Sequence, residues 1–360
     1  MSKNQSENAN FLLEDEEEST EFHKMNSVES KPLVLNIMEM HFSVGQIFWT
    51  MSSGKKINLF NSGDWIQKSY LNKFLKANKT LEIEPQINEH YCSIGLELFK
   101  SFVESEEEAD KAEIRSEIIE WLSKGYWNTE EEVGMLDVAF VCAQTFYSFS
   151  EKEEDLLFES STELFKRSSV IGSMLVCLSI VVGYLDINLL KDLYHISFLF
   201  DCSLDEVTLS TNLISALENE RKNGKAWEDS LSDVEKKIFL NHTRESSKRA
   251  FNFFSNRISN PGLIHFIESH HEKINGKGFP LGLREGEITD LEGLIIFVNN
   301  RLPFHDLKFE KGDANSFFKN LMERGAQLDT VLTRRLKKII TNEFESRDSD
   351  HAKYLEISGV

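Results

Sequence analysis

The chain has 360 residues, is 40% hydrophobic and 28% charged, and carries a formal net charge of −20. Length and apolar content predict a soluble protein of two domains, or of one large domain with an appendage. The acidic balance excludes a nucleic-acid or anionic-membrane partner, since both require basic surface, and leaves an anionic nucleotide dependent on a local cation or metal.

Residues 1–30 are rich in Glu, Asn and Ser, with an acidic run from Glu14 to Glu18 and no apolar signal-peptide core. They are expected to form a disordered acidic tail. Residues 31–103 read as a small α/β domain. Gly45 to Met51 and Ile57 to Phe60 are β-rich runs joined by the turn Ser52 to Lys56, which predicts a hairpin. Ile66 to Leu75 has helical spacing, and Leu81-Glu82-Ile83 suits a third strand.

Residues 104–159 form a helical linker region. Ile114, Ile118, Ile119, Trp121 and Leu122 fall on one face, and Met135 to Phe149 supplies a denser one. The charge runs Glu104 to Glu108 and Glu151 to Asp155 are read as solvated linkers or helix starts. From 160 to 345 the pattern is helical, interrupted by a polar stretch from Glu218 to Leu231 and by a glycine-rich loop after His271. Residues 346–360 are a C-terminal tail. The fold class is therefore mostly α, a helical bundle preceded by a small α/β domain. The longest apolar stretch, Val170 to Tyr184, contains Ser173 and Ser179 and falls short of the roughly 20 residues of a membrane span. Cys92, Cys142, Cys177 and Cys202 lack paired spacing, which indicates a reducing, cytoplasmic setting.

Chemistry concentrates at His270 to Pro280, His-His-Glu-Lys-Ile-Asn-Gly-Lys-Gly-Phe-Pro. Adjacent imidazoles are transition-metal ligands, and glycines beside them let the backbone bend tightly. The stretch resembles the signature of the HD-GYP family of metal-dependent cyclic di-GMP phosphodiesterases, which reads His-His-Glu, two variable residues, Asp-Gly, one variable residue, Gly-Tyr-Pro. Asn275 stands in place of the acid and Phe279 in place of the tyrosine, while Gly276, Lys277, Gly278 and Pro280 complete the loop.

The resemblance implies an HD-type bundle with ligands projecting inward from several helices. It places the family's first histidine at Arg167, or in another register at Leu164, and its His-Asp pair at Phe200-Asp201. The lone histidine falls on His242, after an insertion around Leu213 to Trp227. The late aspartate falls on Asn300, or one residue earlier on Asn299, and the phosphate-contacting lysine on Leu204. The first metal thus loses its own ligands at Arg167, Phe200 and Asn300, whereas the second keeps Asp201, His242, His270 and His271. Three imidazoles and a carboxylate suit one divalent ion of iron, manganese or zinc. The Arg167 guanidinium is expected to supply the charge of the lost ion and to pair with Asp201. His195 has no counterpart and is expected to pack or to lie at the surface, and Cys202 to lie in the core.

The expected function is a degenerate member in cyclic-dinucleotide signalling. It would bind cyclic di-GMP, a diguanylate cyclase-type domain or another signalling protein, and retain at most one metal. The alternatives are a weak cyclic di-GMP phosphodiesterase with a mononuclear centre, and a metal-free scaffold.

Overall fold

Alternation along Gln46-Ile47-Phe48-Trp49 turns Ile47 fully inward and leaves its neighbours half-buried, the pattern of a sheet with one covered face. The computed structural model describes residues 25–27, 42–66, 70, 73, 80–127, 134–158, 162–204, 209–221, 227–273, 275–284, 286–304 and 307. Most of the tail expected at 1–30, most of the Ile66 to Leu75 helix, and the expected end of the bundle and tail beyond 307 lie outside the described residues.

Strands β1 (Met25–Ser27), β2 (Gly45–Thr50), β3 (Lys56–Phe60) and β4 (Thr80–Pro85) form one sheet in the order β1-β4-β2-β3. The expected hairpin is β2–β3, antiparallel with Trp49 opposite Ile57, and β4 is the expected third strand, antiparallel to β2. Within the segment read as a disordered tail, Met25–Ser27 instead pairs in parallel with Leu81, Glu82 and Ile83.

Helices follow: α1 (Glu89–Glu104), α2 (Glu108–Trp127), α3 (Met135–Phe146), α4 (Glu151–Phe158), α5 (Thr162–Val182), α6 (Ile187–Ile196), α7 (Thr211–Arg221), α8 (Asp233–Phe254), α9 (Ile264–Ser269) and α10 (Asp290–Asn299). Asn88 caps α1 by accepting the Tyr91 N–H at 3.0 Å. Trp121 of α2 donates to the Tyr91 carbonyl at 2.9 Å and stacks on its ring. The two charge runs separate α1 from α2 and open α4, as helix boundaries with polar ends.

One cluster of buried side chains runs from Phe42 to Leu302, with α5 at its centre. The sheet reaches α5 through Trp65, whose ring lies 4.4 Å from that of Phe165, and through Asp64, 3.6 Å from Lys166. Leu164–Val182 is long and apolar enough to cross a membrane by length and composition, more than the sequence reading allowed, because Lys166 and Arg167 interrupt the apolar run without ending the helix. Its most apolar window is 94% buried within the protein.

A second, smaller cluster joins Leu164, Leu204, Leu213, Leu217, Phe239 and Phe304. It exists because the stretch read as an insertion begins within α7, with Leu213, Ala216 and Leu217 on its buried face. The polar stretch expected from Glu218 is helical through Arg221, and Glu218 and Glu220 are both buried. Between the two clusters, α5, the turn after α6, α8 and the C-terminal ends of α9 and α10 converge.

Candidate metal centre

Each side chain at this convergence is held by its own element. Arg167 projects from α5. Phe200 and Asp201 follow a short 3-10 turn, Ser197–Leu199, that extends α6. Ser232 and Glu235 form a capping box that starts α8 and sets the phase of His242 two turns later. His270 is the C-cap of α9, and His271 follows it.

One ligand atom from each of Asp201, His242, His270 and His271 lies within 4.8 Å of the others, and all four residues are buried. Asp201 Oδ1 is 3.3 Å from His242 Nε2 and 3.5 Å from His270 Nε2. Nitrogen and oxygen ligands at about 2.0–2.1 Å from zinc stand about 3.3–3.5 Å apart in a tetrahedron. These four groups can hold a metal ion.

The hydrogen bonds on the far sides of the rings fix which atoms face inward. His242 Nδ1 is 2.5 Å from the Phe239 carbonyl and His270 Nδ1 is 2.6 Å from the Ile267 carbonyl. His271 Nδ1 is 3.0 Å from Glu220 Oε2. Carbonyls and carboxylates only accept, so each Nδ1 carries a proton, and in the neutral form that tautomer turns the lone pair of Nε2 inward. All three Nε2 atoms and Asp201 Oδ1 are buried without a hydrogen-bond partner. Four lone pairs facing one another repel unless a cation lies between them.

Ionisation favours the same state. Burial lowers His270, and lowers His271 to about 3 with help from the neighbouring His270, so both rings are neutral at pH 7. Burial opposes ionisation of Asp201, and the Arg167 guanidinium beside it favours the carboxylate.

Arg167 occupies the other side of Asp201, as expected. Its Nη1 donates to Asp201 Oδ2 at 3.2 Å, and Nη2 donates to both the backbone and side-chain oxygens of Asn299 at 2.8 Å. The guanidinium carbon sits 3.8 Å above the Phe304 ring. Burial pulls Arg167 down to about 10, which leaves it cationic at neutral pH. Phe200 stacks on His270 with centroids 5.0 Å apart. Leu204 is buried in the smaller apolar cluster and brings no charge.

One assignment changes. Asn299, not Asn300, faces Arg167, and its Nδ2 also donates to the His270 carbonyl at 3.2 Å. Asn300 closes α10 and offers its backbone carbonyl to Arg221 at 3.4 Å. Successive helical residues point about 100° apart, so only one of the two reaches the centre.

The glycine loop closes over His271. Phe279 stacks on the imidazole at 4.8 Å and 11°. Gly276 has φ +71°, and a Cβ on Gly278 would fall 2.3 Å from the Lys273 nitrogen, so both need glycine. Asn275 Oδ1 accepts the Lys277 N–H at 3.0 Å, and both side chains are exposed. Glu272, given no role from sequence, is fully buried and accepts the N–H groups of Leu281, Gly282 and Leu283 at 2.5, 3.1 and 2.8 Å. It latches the segment after Pro280 beneath the histidines.

No family model, curated protein or solved structure matches this chain. Its chemistry is therefore defined by the residues themselves.

Two residues outside the ligand set stay clear of it. His195 is buried beside Ser148 and Phe149, the packed of the two alternatives, and Cys202 packs near the Ser246 carbonyl, as expected. Glu220 was missed. Its signal was the continuation of the Leu213, Ala216, Leu217 stripe by one more turn, which put an acid on the buried face of α7.

Proposed function

We propose that the protein is a catalytically silent, HD-GYP-like module of cytoplasmic cyclic-dinucleotide signalling that keeps one divalent metal. The observation that carries this reading is the division of the Asp201 carboxylate. Oδ1 joins the three imidazoles, and Oδ2 is taken by Arg167. A second ion bridged by Asp201 would need the oxygen and the space that the guanidinium occupies.

Three nitrogens and one oxygen favour zinc, iron or manganese over magnesium or calcium, which prefer all-oxygen shells. When bound, the ion would act as a Lewis acid that can lower the pKa of a coordinated water. The protein's own residues limit that chemistry. The family's lysine position is the apolar Leu204, and Phe279 has a ring for stacking but no hydroxyl. Loss of one preorganised cation from a phosphoryl-transfer site costs on the order of 10²–10³ in rate. All four ligands are at most 4% exposed, which suits an ion that ties α8, α9 and the turn after α6 together better than one that turns over a dinucleotide.

The link to cyclic di-GMP, or to a diguanylate cyclase-type partner docking on the Asn275 to Pro280 loop, rests on the resemblance of His270 to Pro280 to the family signature. The rival is a weak phosphodiesterase with a mononuclear centre. Zinc-, iron- and manganese-loaded protein should bind cyclic di-GMP, or the partner domain, without hydrolysing the dinucleotide. Turnover abolished by His270→Ala would establish the enzyme instead. Absence of both binding and turnover would remove the signalling assignment while leaving the metal centre in place.

A further inference from the structure

We infer that Glu220, on α7, is the positioning residue that makes His271 a metal ligand; the inference rests on the reading of Asp201, His242, His270 and His271 as one metal centre. The three imidazoles are not oriented alike. His242 and His270 each place Nδ1 against the carbonyl three residues earlier in their own helix, at 2.5 and 2.6 Å. Those acceptors come with the helix and need no partner from elsewhere.

His271 lies past the end of α9, and its Nδ1 is met by Glu220, 51 residues away in sequence, at 3.0 Å. A neutral imidazole without that acceptor is free to carry its proton on Nε2, where an N–H would point at the other three ligands and at any cation between them. The carboxylate holds the proton on Nδ1 and leaves the Nε2 lone pair inward. A carboxylate in this outer position also raises the basicity of the ligand.

Glu220 is itself prepared for the role. It is 3% exposed, and its two oxygens are divided, Oε2 to His271 and Oε1 to Lys273 Nζ at 2.5 Å. Lys273 also donates to the Glu220 backbone carbonyl at 3.3 Å, which ties the glycine loop to the end of α7. The ammonium offsets a charge that would be costly to bury alone. The segment that reads as an insertion thus contributes a working part of the centre.

Chelator competition for zinc, with cobalt absorption as a geometric readout, tests this on the full chain. Glu220→Ala should weaken zinc binding about 10–100-fold and alter the cobalt spectrum. Glu220→Gln keeps an oxygen acceptor for Nδ1 and should stay within a few fold of the parent. A merely structural Glu220 would lower the melting temperature of metal-free and metal-loaded protein alike, leaving affinity and spectrum unchanged, and that result would overturn the inference. If Glu220→Ala does not fold, imidazole nitrogen NMR of the unmodified metal-free protein decides: a proton on His271 Nδ1 supports the role, and one on Nε2 overturns it. Unmodified protein that takes up neither zinc nor cobalt would instead remove the metal centre, and this inference with it.

Discussion

Arg167 Nη1 lies 3.2 Å from Asp201 Oδ2, while Oδ1 of the same carboxylate stands 3.3 Å from His242 Nε2. One acid therefore serves a fixed organic cation on one side and a set of inward lone pairs on the other. The ion pair is almost wholly buried, so neither partner can be rehydrated if the other is removed.

Arg167→Met should accordingly destabilise the protein by about 3–5 kcal/mol, the usual consequence of stranding one half of a buried pair. Combining it with Asp201→Asn should recover part of the loss, because the stranded charge is then gone. Denaturant unfolding of the two single variants and the double variant measures this. A change below about 1 kcal/mol for Arg167→Met would show that the pair is not what stabilises the centre.

The division of Asp201 also predicts how a second ion could be accommodated. Arg167→His, Phe200→His and Asn299→Asp together should raise the metal content of loaded protein from one to two per chain. The same set with Asn300→Asp in place of Asn299→Asp should stay at one, because it is the Asn299 side chain that meets Arg167. Equal metal content in both triple variants would contradict this assignment.

Acid should destabilise the metal-free protein well above the carboxylate range. His195 and His271 are each lowered from 6.5 to about 3, first by burial. Below pH 6.5 the unfolded chain takes up protons that these folded rings refuse. Stability present above pH 6.5 is then lost toward pH 3, at about 1.4 kcal/mol per pH unit for each group. Glu220, held at about 2 against an ordinary 4.5, adds to the loss below pH 4.5. Denaturant titrations at pH 7, 6 and 5 should show the decline, and His195→Phe should make it shallower. Stability that is flat from pH 7 to 5 would contradict it.

Gly278→Ala should lower metal affinity and stability together. A Cβ there would lie 2.3–2.5 Å from the Lys273 nitrogen and from Glu272 Cα and C, so the backbone must move. That movement disturbs the Glu272 carboxylate that holds the N–H groups of 281–283, and the Phe279 ring on His271. A variant with parental melting temperature and zinc affinity would show that the loop is slack.

The ligand set was legible through the resemblance of His270 to Pro280 to a family signature, which in turn picked out Asp201 and His242. His270 and His271 are adjacent, and Asp201 and His242 sit in apolar or well-capped helical stretches. Helical periodicity likewise gave α2 and α3, and β-rich runs flanking a turn gave the β2–β3 hairpin. The outer contacts were not legible, for physical reasons. Glu220 sits among Glu218, Asn219 and Arg221, where composition points to solvent; the stripe from Leu213 marks its face, but its pairing with His271 and Lys273 is seen only in three dimensions. Asn299 and Asn300 are chemically identical, and a one-residue shift of register cannot be settled by residue type. Met25–Ser27 is too short and polar to announce a strand, and its order comes from β4 beside it.

The most direct test is the metal content of protein loaded with zinc, iron or manganese and freed of loosely held ions, measured beside His270→Ala. One ion per unmodified chain, sharply reduced in the variant, is the predicted result. Two ions per chain would show that Arg167 has not displaced a metal, and none would show that the four inward-facing groups do not form a site.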